Sequence, residues 1–112
     1  DALADRLEAR GLQVVKAHTG TSALEAAEGR VFDAIVLDMD MPGMDGLEAT
    51  RELRRHRSMD DVPIIALTAL VMPGDRERCI TAGASEYLSK PLRLSTLVEK
   101  IGEAVRVKAG KG

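Results

Sequence analysis

A chain of 112 residues, 45% hydrophobic and 30% charged, has room for one small domain and too much apolar content for wholesale disorder. Its net charge of −2 and pI near 5.7 exclude a nucleic-acid module, which needs a basic face. The lone Cys79 excludes an internal disulfide and a cysteine-built zinc site, and no run of about 18 apolar residues is present to cross a bilayer. With no signal-peptide pattern either, the cytoplasm is the default location. Phe32 and Tyr87 are the only aromatics, so Leu, Val, Ile, Ala and Met must build the core.

In chain order, Leu3 and Leu7 share one face of a helix over residues 1–10, which Gly11 stops. Leu12 to Ala17 reads as a short strand. Thr21 or Ser22 can cap the next helix, with Ser22 three before Glu25 in capping-box spacing, and Gly29 ends it. Val31 to Asp38 is a strand whose continuous apolar stretch, Ala34 to Leu37, suits a parallel sheet covered on both faces. Leu47 to about His56 is helical, with Leu47, Thr50 and Leu53 along one side. Pro63 to Thr68 is another apolar strand. Pro73 suits a first helical turn and Gly83 a helix end. Glu86 to Ser89 is a short strand, and Leu94, Leu97, Val98, Ile101 and Val105 form the amphipathic stripe of a last helix. The residues from Lys108 to Gly112 should fray. This alternation predicts an α/β, flavodoxin-like, doubly wound parallel sheet with helices on both faces.

The chemistry concentrates at one edge of that sheet. Asp38 ends a buried strand, and a Pro/Gly-rich loop follows at once. Open α/β sheets place their ligands at the carboxyl ends of strands, so a rigid support presents this carboxylate to solvent. Thr68 ends the next strand, with the small Ala69 beside it, and Lys90 follows the last strand. A carboxylate attacking a phosphoryl group forms an acyl phosphate, and the barrier is largely repulsion among oxygens. A divalent cation, an ammonium acting as a point charge and a hydroxyl donor are what such a reaction needs nearby. Met41 and Met44 read as braces of the loop, and Asp45-Gly46 as a turn that starts a helix. His56 suits a helix C-terminus electrostatically, His18 has no motif around it, and Cys79 reads as a partly buried helix residue.

Asp33-Ala34-Ile35-Val36-Leu37-Asp38-Met39-Asp40-Met41-Pro42-Gly43-Met44-Asp45-Gly46 resembles the phosphoacceptor loop of response-regulator receiver domains. Ile64-Ile65-Ala66-Leu67-Thr68-Ala69 resembles the family's strand ending in a phosphate-contacting Thr or Ser. Ala82-Gly83-Ala84-Ser85-Glu86-Tyr87-Leu88-Ser89-Lys90-Pro91 resembles the segment that ends in its Lys-Pro. The likeness covers nearly the whole chain and implies one receiver domain over residues 1–112. It implies that Asp38 is the phosphoacceptor, that Thr68 and Lys90 contact the phosphoryl group, and that Thr68 and Tyr87 form the switch. It implies a cis Lys90-Pro91 peptide, and Mg²⁺ held by Asp38, the backbone carbonyl of Asp40 and an N-terminal acidic pair. The implied partners are a histidine kinase or histidine phosphotransfer protein as donor and a downstream protein target or output domain. No enzyme activity follows beyond slow self-catalysed phosphotransfer and dephosphorylation. Met72 to Cys79 together with Tyr87 to Pro91 looks most like receivers of hybrid kinases and single-domain regulators.

One departure stands out. A receiver opens with a central strand ending in the acidic pair, and counting back from Gly11 that strand falls upstream of Asp1. The expectation is an N-terminally incomplete domain whose first central strand and acidic metal ligands are absent. Asp1 and Asp5 lie too far along the first helix to replace those acids, so this stretch should bind Mg²⁺ weakly and be phosphorylated poorly. Losing five or six buried residues removes roughly 10 kcal/mol of burial, at about 1.5–3 kcal/mol per large side chain. That rivals the roughly 5–15 kcal/mol net stability of a small domain. Rearrangement of the sheet, a dimer or strand exchange with a neighbour, or a first strand that exists upstream of Asp1, is therefore expected. Two other functions compete: a phosphorylation-independent, degenerate receiver acting as an adaptor, and a phosphatase of the haloacid-dehalogenase type using Asp38-Met39-Asp40 as Asp-x-Asp. The second fits poorly, because that motif belongs on an opening strand and needs a later acidic pair.

Overall fold

The computed structural model describes residues 2–17, 20–27, 33–39, 46–56, 61–69 and 72–110. Four short strands, β1 (Val14–Ala17), β2 (Ala34–Asp38), β3 (Ile64–Thr68) and β4 (Glu86–Ser89), alternate with helices α1 (Ala2–Glu8), α2 (Gly20–Ala27), α3 (Gly46–Arg54), α4 (Asp75–Ala82) and α5 (Leu94–Gly110). All strand pairs are parallel, as the helix–strand alternation requires.

The sheet order is β1-β2-β3-β4. β1 hydrogen-bonds directly to β2, from Val14 opposite Ala34 to Ala17 opposite Leu37. Among the described residues no strand separates them.

Both faces of the sheet are covered. Val15, Ala17, Ile35, Leu37 and Ile64 pack with Ala23 of α2 and with Ala49 and Leu53 of α3. On the other face Ala34, Val36 and Ile65 meet Leu3 and Leu7 of α1 and Leu97, Val98 and Ile101 of α5. Residues 34–37 are buried without a break, which is why that stretch shows no apolar–polar alternation. A smaller cluster joins Ala66, Cys79 and Ala84, with Met39, Leu47 and Tyr87 half-buried against it. Cys79 is thus buried outright rather than partly.

Several boundaries differ from the sequence reading. β2 starts at Ala34, and Asp33 before it turns back on Gln13: its N–H donates to the Gln13 carbonyl at 2.8 Å, and its carboxylate accepts the Gln13 N–H at 2.7 Å. α2 begins at Gly20, so Ser22 lies inside its first turn rather than at the cap, and Gly29 lies outside the described residues. α4 begins at Asp75, not at Pro73. Gly74 sits before it at φ 83, a left-handed conformation that glycine adopts without strain, and the Asp75 carboxylate accepts the Met72 N–H at 2.8 Å. Gly83, at φ 124, ends α4 as anticipated. α5 continues to Gly110 instead of fraying from Lys108, because Val-Lys-Ala carries no helix breaker.

The amino ends of β3 and β4 are tied by one side chain. Arg54, the last residue of α3, donates from Nε to the Gly83 carbonyl and from Nη1 to the Val62 carbonyl, both at 2.8 Å. Its Nη2 reaches Ser85 Oγ at 3.3 Å, and that hydroxyl accepts the Ile64 N–H at 3.1 Å.

Candidate functional site

Parallel register brings the predicted residues to one edge. Asp38 lies opposite Leu67, and Thr68 lies opposite Ser89. The ladder runs one residue further at each step: Met39 N–H donates to the Leu67 carbonyl at 2.9 Å, and Lys90 N–H to the Thr68 carbonyl at 2.8 Å. Asp38 is thus level with Leu88 on β4, and Lys90 leaves that strand two positions further along.

The two side chains close that gap. Lys90 Nζ donates to Asp38 Oδ1 at 3.2 Å and Oδ2 at 3.3 Å, across 52 residues of sequence. The side chains are 32% and 27% exposed, respectively, so the pair is neither sealed in the core nor loose on the surface. Thr68 shares this edge and is buried, while Ala69 after it is exposed. The Lys90-Pro91 peptide is cis, as the resemblance implied. Asp40, Met41, Met44, Asp45 and His18 lie outside the described residues.

The cation implied by the resemblance meets a poor set of ligands. Mg²⁺ demands octahedral oxygen ligation, usually with a carboxylate or two and retained waters. Among the described residues no three acidic, His or Cys side chains cluster, and both oxygens of Asp38 already face the Lys90 ammonium. That set does not fit the ion.

Tyr87 stands one strand away, opposite Ala66, with its ring half-buried beside Cys79 and Met39 and its hydroxyl shut off from solvent. Next to it, Asp75 has its carboxyl held below the ordinary 3.8, first by the Met72 N–H, then by the Arg78 guanidinium, and weakly by the Tyr87 hydroxyl. Burial, and then the Asp75 charge, push the Cys79 thiol above its ordinary value, with Arg78 opposing them.

Sequence reasoning missed Met39. Its sulfur accepts the Cys79 thiol at 3.9 Å and its side chain fills the space in front of Gly46, so the residue after Asp38 reaches both α3 and α4. The available signal was its place directly after the acceptor candidate.

The response regulator receiver domain family matches residues 1–102. The polar-differentiation response regulator DivK of Brucella ovis is 35% identical over 97 residues, which is 87% of this chain and 79% of DivK. The receiver domain of the sensor histidine kinase PA1611 from Pseudomonas aeruginosa, solved with a magnesium ion coordinated in its active-site cleft, superposes with a TM-score of 0.71. It is 30% identical, and the match covers 84% of this chain and 97% of that one. A putative response regulator from Chloroflexus aurantiacus gives a TM-score of 0.72 at 30% identity, covering 95% of this chain and 90% of its own. Neither the adaptor nor the phosphatase alternative gains support from these likenesses.

Proposed function

Because the chain belongs to the response regulator receiver domain family, which are signalling phosphoacceptors of two-component systems rather than classical enzymes, we propose that Asp38 is its acceptor. The observation that carries this reading is the Lys90 ammonium within hydrogen-bond reach of both Asp38 oxygens. An Asp38 oxygen attacks phosphorus; the O–P bond forms as the P–N bond to a donor phosphohistidine breaks. The electron pair leaves with the imidazole, which takes up a proton from solvent. Lys90 then transfers its charge from the carboxylate to a phosphoryl oxygen, and the Thr68 hydroxyl donates to another. Ala69 leaves room for the group.

Once the Thr68 hydroxyl is committed to phosphate, Tyr87 changes rotamer, and the surface built by α4, β4 and α5 shifts between two populations. A histidine kinase or histidine phosphotransfer protein is the donor, and a downstream protein reads the surface. The place of action is the cytoplasm; among the described residues no helix is long and apolar enough to cross a membrane. Magnesium is the family's cation, as the PA1611 receiver domain holds it. Of its ligands, Asp38 and the Asp40 carbonyl are the two the resemblance implies in this stretch, and alone they do not make up an octahedral site.

The test is the intact mass after incubation with a phosphorylated histidine phosphotransfer protein. The chain should gain one phosphoryl group and Asp38→Asn none. Undiminished labelling of Asp38→Asn would overturn the assignment.

A further inference from the structure

We infer that Met39 is a positioning residue for Asp38: wedged between Gly46 at the start of α3 and Cys79 on α4, it fixes the end of β2 so that the carboxylate meets Lys90. The inference rests on the reading of Asp38 as acceptor and adds a residue to which that reading gives no role. Three contacts carry it. The Met39 N–H donates to the Leu67 carbonyl at 2.9 Å, which continues the β2–β3 ladder past Asp38. The Met39 sulfur lies 3.9 Å from Cys79 Sγ, in the same cluster that holds Tyr87 and Leu47. The backbone of Gly46, itself buried, runs close against the Met39 side chain, where an added Cβ would collide with Cε and come within 2.9 Å of Cγ and 3.1 Å of Cβ.

Met39 thus has its backbone locked to β3 on one side and its side chain locked to two helices on the other. Asp38 is the adjacent residue, so its direction follows. A side chain with this many rotatable bonds fills such an irregular gap and holds by contact rather than by charge. Gly46 matters for the same reason: any larger residue there drives Met39 out of its place without itself touching Asp38.

Carbodiimide coupling of an amine to carboxyl groups, read position by position by mass spectrometry, reports how well Asp38 is held against Lys90 and needs no phosphoryl transfer. Lys90→Ala sets the ceiling, and Asp33 at the opposite end of the sheet serves as internal control. Met39→Ala should raise labelling at Asp38 about threefold, the factor that ~0.6 kcal/mol of lost pairing gives. Met39→Leu, of similar volume, should stay near the parent rate. Gly46→Ala should reproduce Met39→Ala, and the double variant should add nothing, because the collision is gone once the methionine is gone. Parent-like labelling of Asp38 in Met39→Ala and Gly46→Ala, with a rise in Lys90→Ala, would overturn the role of Met39 and leave the acceptor reading intact. An equal rise at Asp33 would overturn it too, by showing general loosening. No rise in Lys90→Ala would instead remove the Asp38–Lys90 pair on which both readings stand.

Discussion

At the amino ends of β3 and β4 the Arg54 guanidinium is committed to the Gly83 and Val62 carbonyls at 2.8 Å, whereas at the carboxyl ends the Lys90 ammonium faces the Asp38 carboxylate at 3.2 Å with about a third of its side chain exposed. The two cations sit at opposite edges of one sheet and do different work. Arg54 satisfies neutral backbone acceptors, so removing it leaves polar groups stranded. Lys90 is paired with a group that water also reaches, so its charge can pass to an incoming oxyanion at small cost in stability. One edge holds the sheet together; the other, on the proposed function, keeps a reactive pair available.

The strongest way to break this contrast is Lys90→Ala. Loss of a charge-stabilising donor should slow phosphoryl acceptance on Asp38 by about 10²–10³-fold. Stability should fall by only about 0–1 kcal/mol, as for a partly exposed ion pair. Labelling rate and denaturant midpoint, measured on the same sample, check both halves. Arg54→Ala should give the mirror image, a loss of roughly 1.5–3 kcal/mol in denaturant unfolding, with the reactivity of Asp38 unchanged. If the two variants behaved alike, the distinction between the edges would dissolve.

The smallest effect sharpens the contrast near Tyr87. The Asp75 carboxyl is held below its ordinary 3.8 by the Met72 N–H and Arg78, so its contribution is fully present above that value and drains away as pH falls through the lower, folded one. Asp75→Asn should therefore be less stable than the parent at neutral pH, with the gap closing in acid. Thermal melts across that range check it, and a gap that widened in acid would give the wrong sign.

Much of this was legible in the chain before its coordinates. The unbroken apolar stretch from Ala34 to Leu37 marked a strand buried on both faces. The places of Asp38, Thr68 and Lys90 at strand ends were enough to predict a shared edge, because parallel register carries strand ends into line. What stayed hidden depends on contacts between distant side chains. Nothing local in Arg54-Arg55-His56-Arg57 distinguishes the arginine that ties two strands from its exposed neighbour Arg55. Pro73 pointed to a helix start, but the Asp75 carboxylate and the left-handed Gly74 set the start two residues later. The pairing of β1 with β2 could not be read from the chain, since period and composition do not name a strand's neighbour. Met39 was passed over because its partners, Gly46 and Cys79, lie on two other elements.

On the proposed function, Asp38 is where the phosphoryl group lands. Borohydride reduction of an aspartyl phosphate leaves homoserine in place of the aspartate, so trapping after transfer from a phosphohistidine donor, followed by peptide sequencing, names the acceptor. Homoserine at position 38 is the predicted result, absent when the donor is omitted. Reduction at Asp33 or Asp75 instead, or a phosphate that resists borohydride because it sits on a hydroxyl such as that of Thr68, would contradict it.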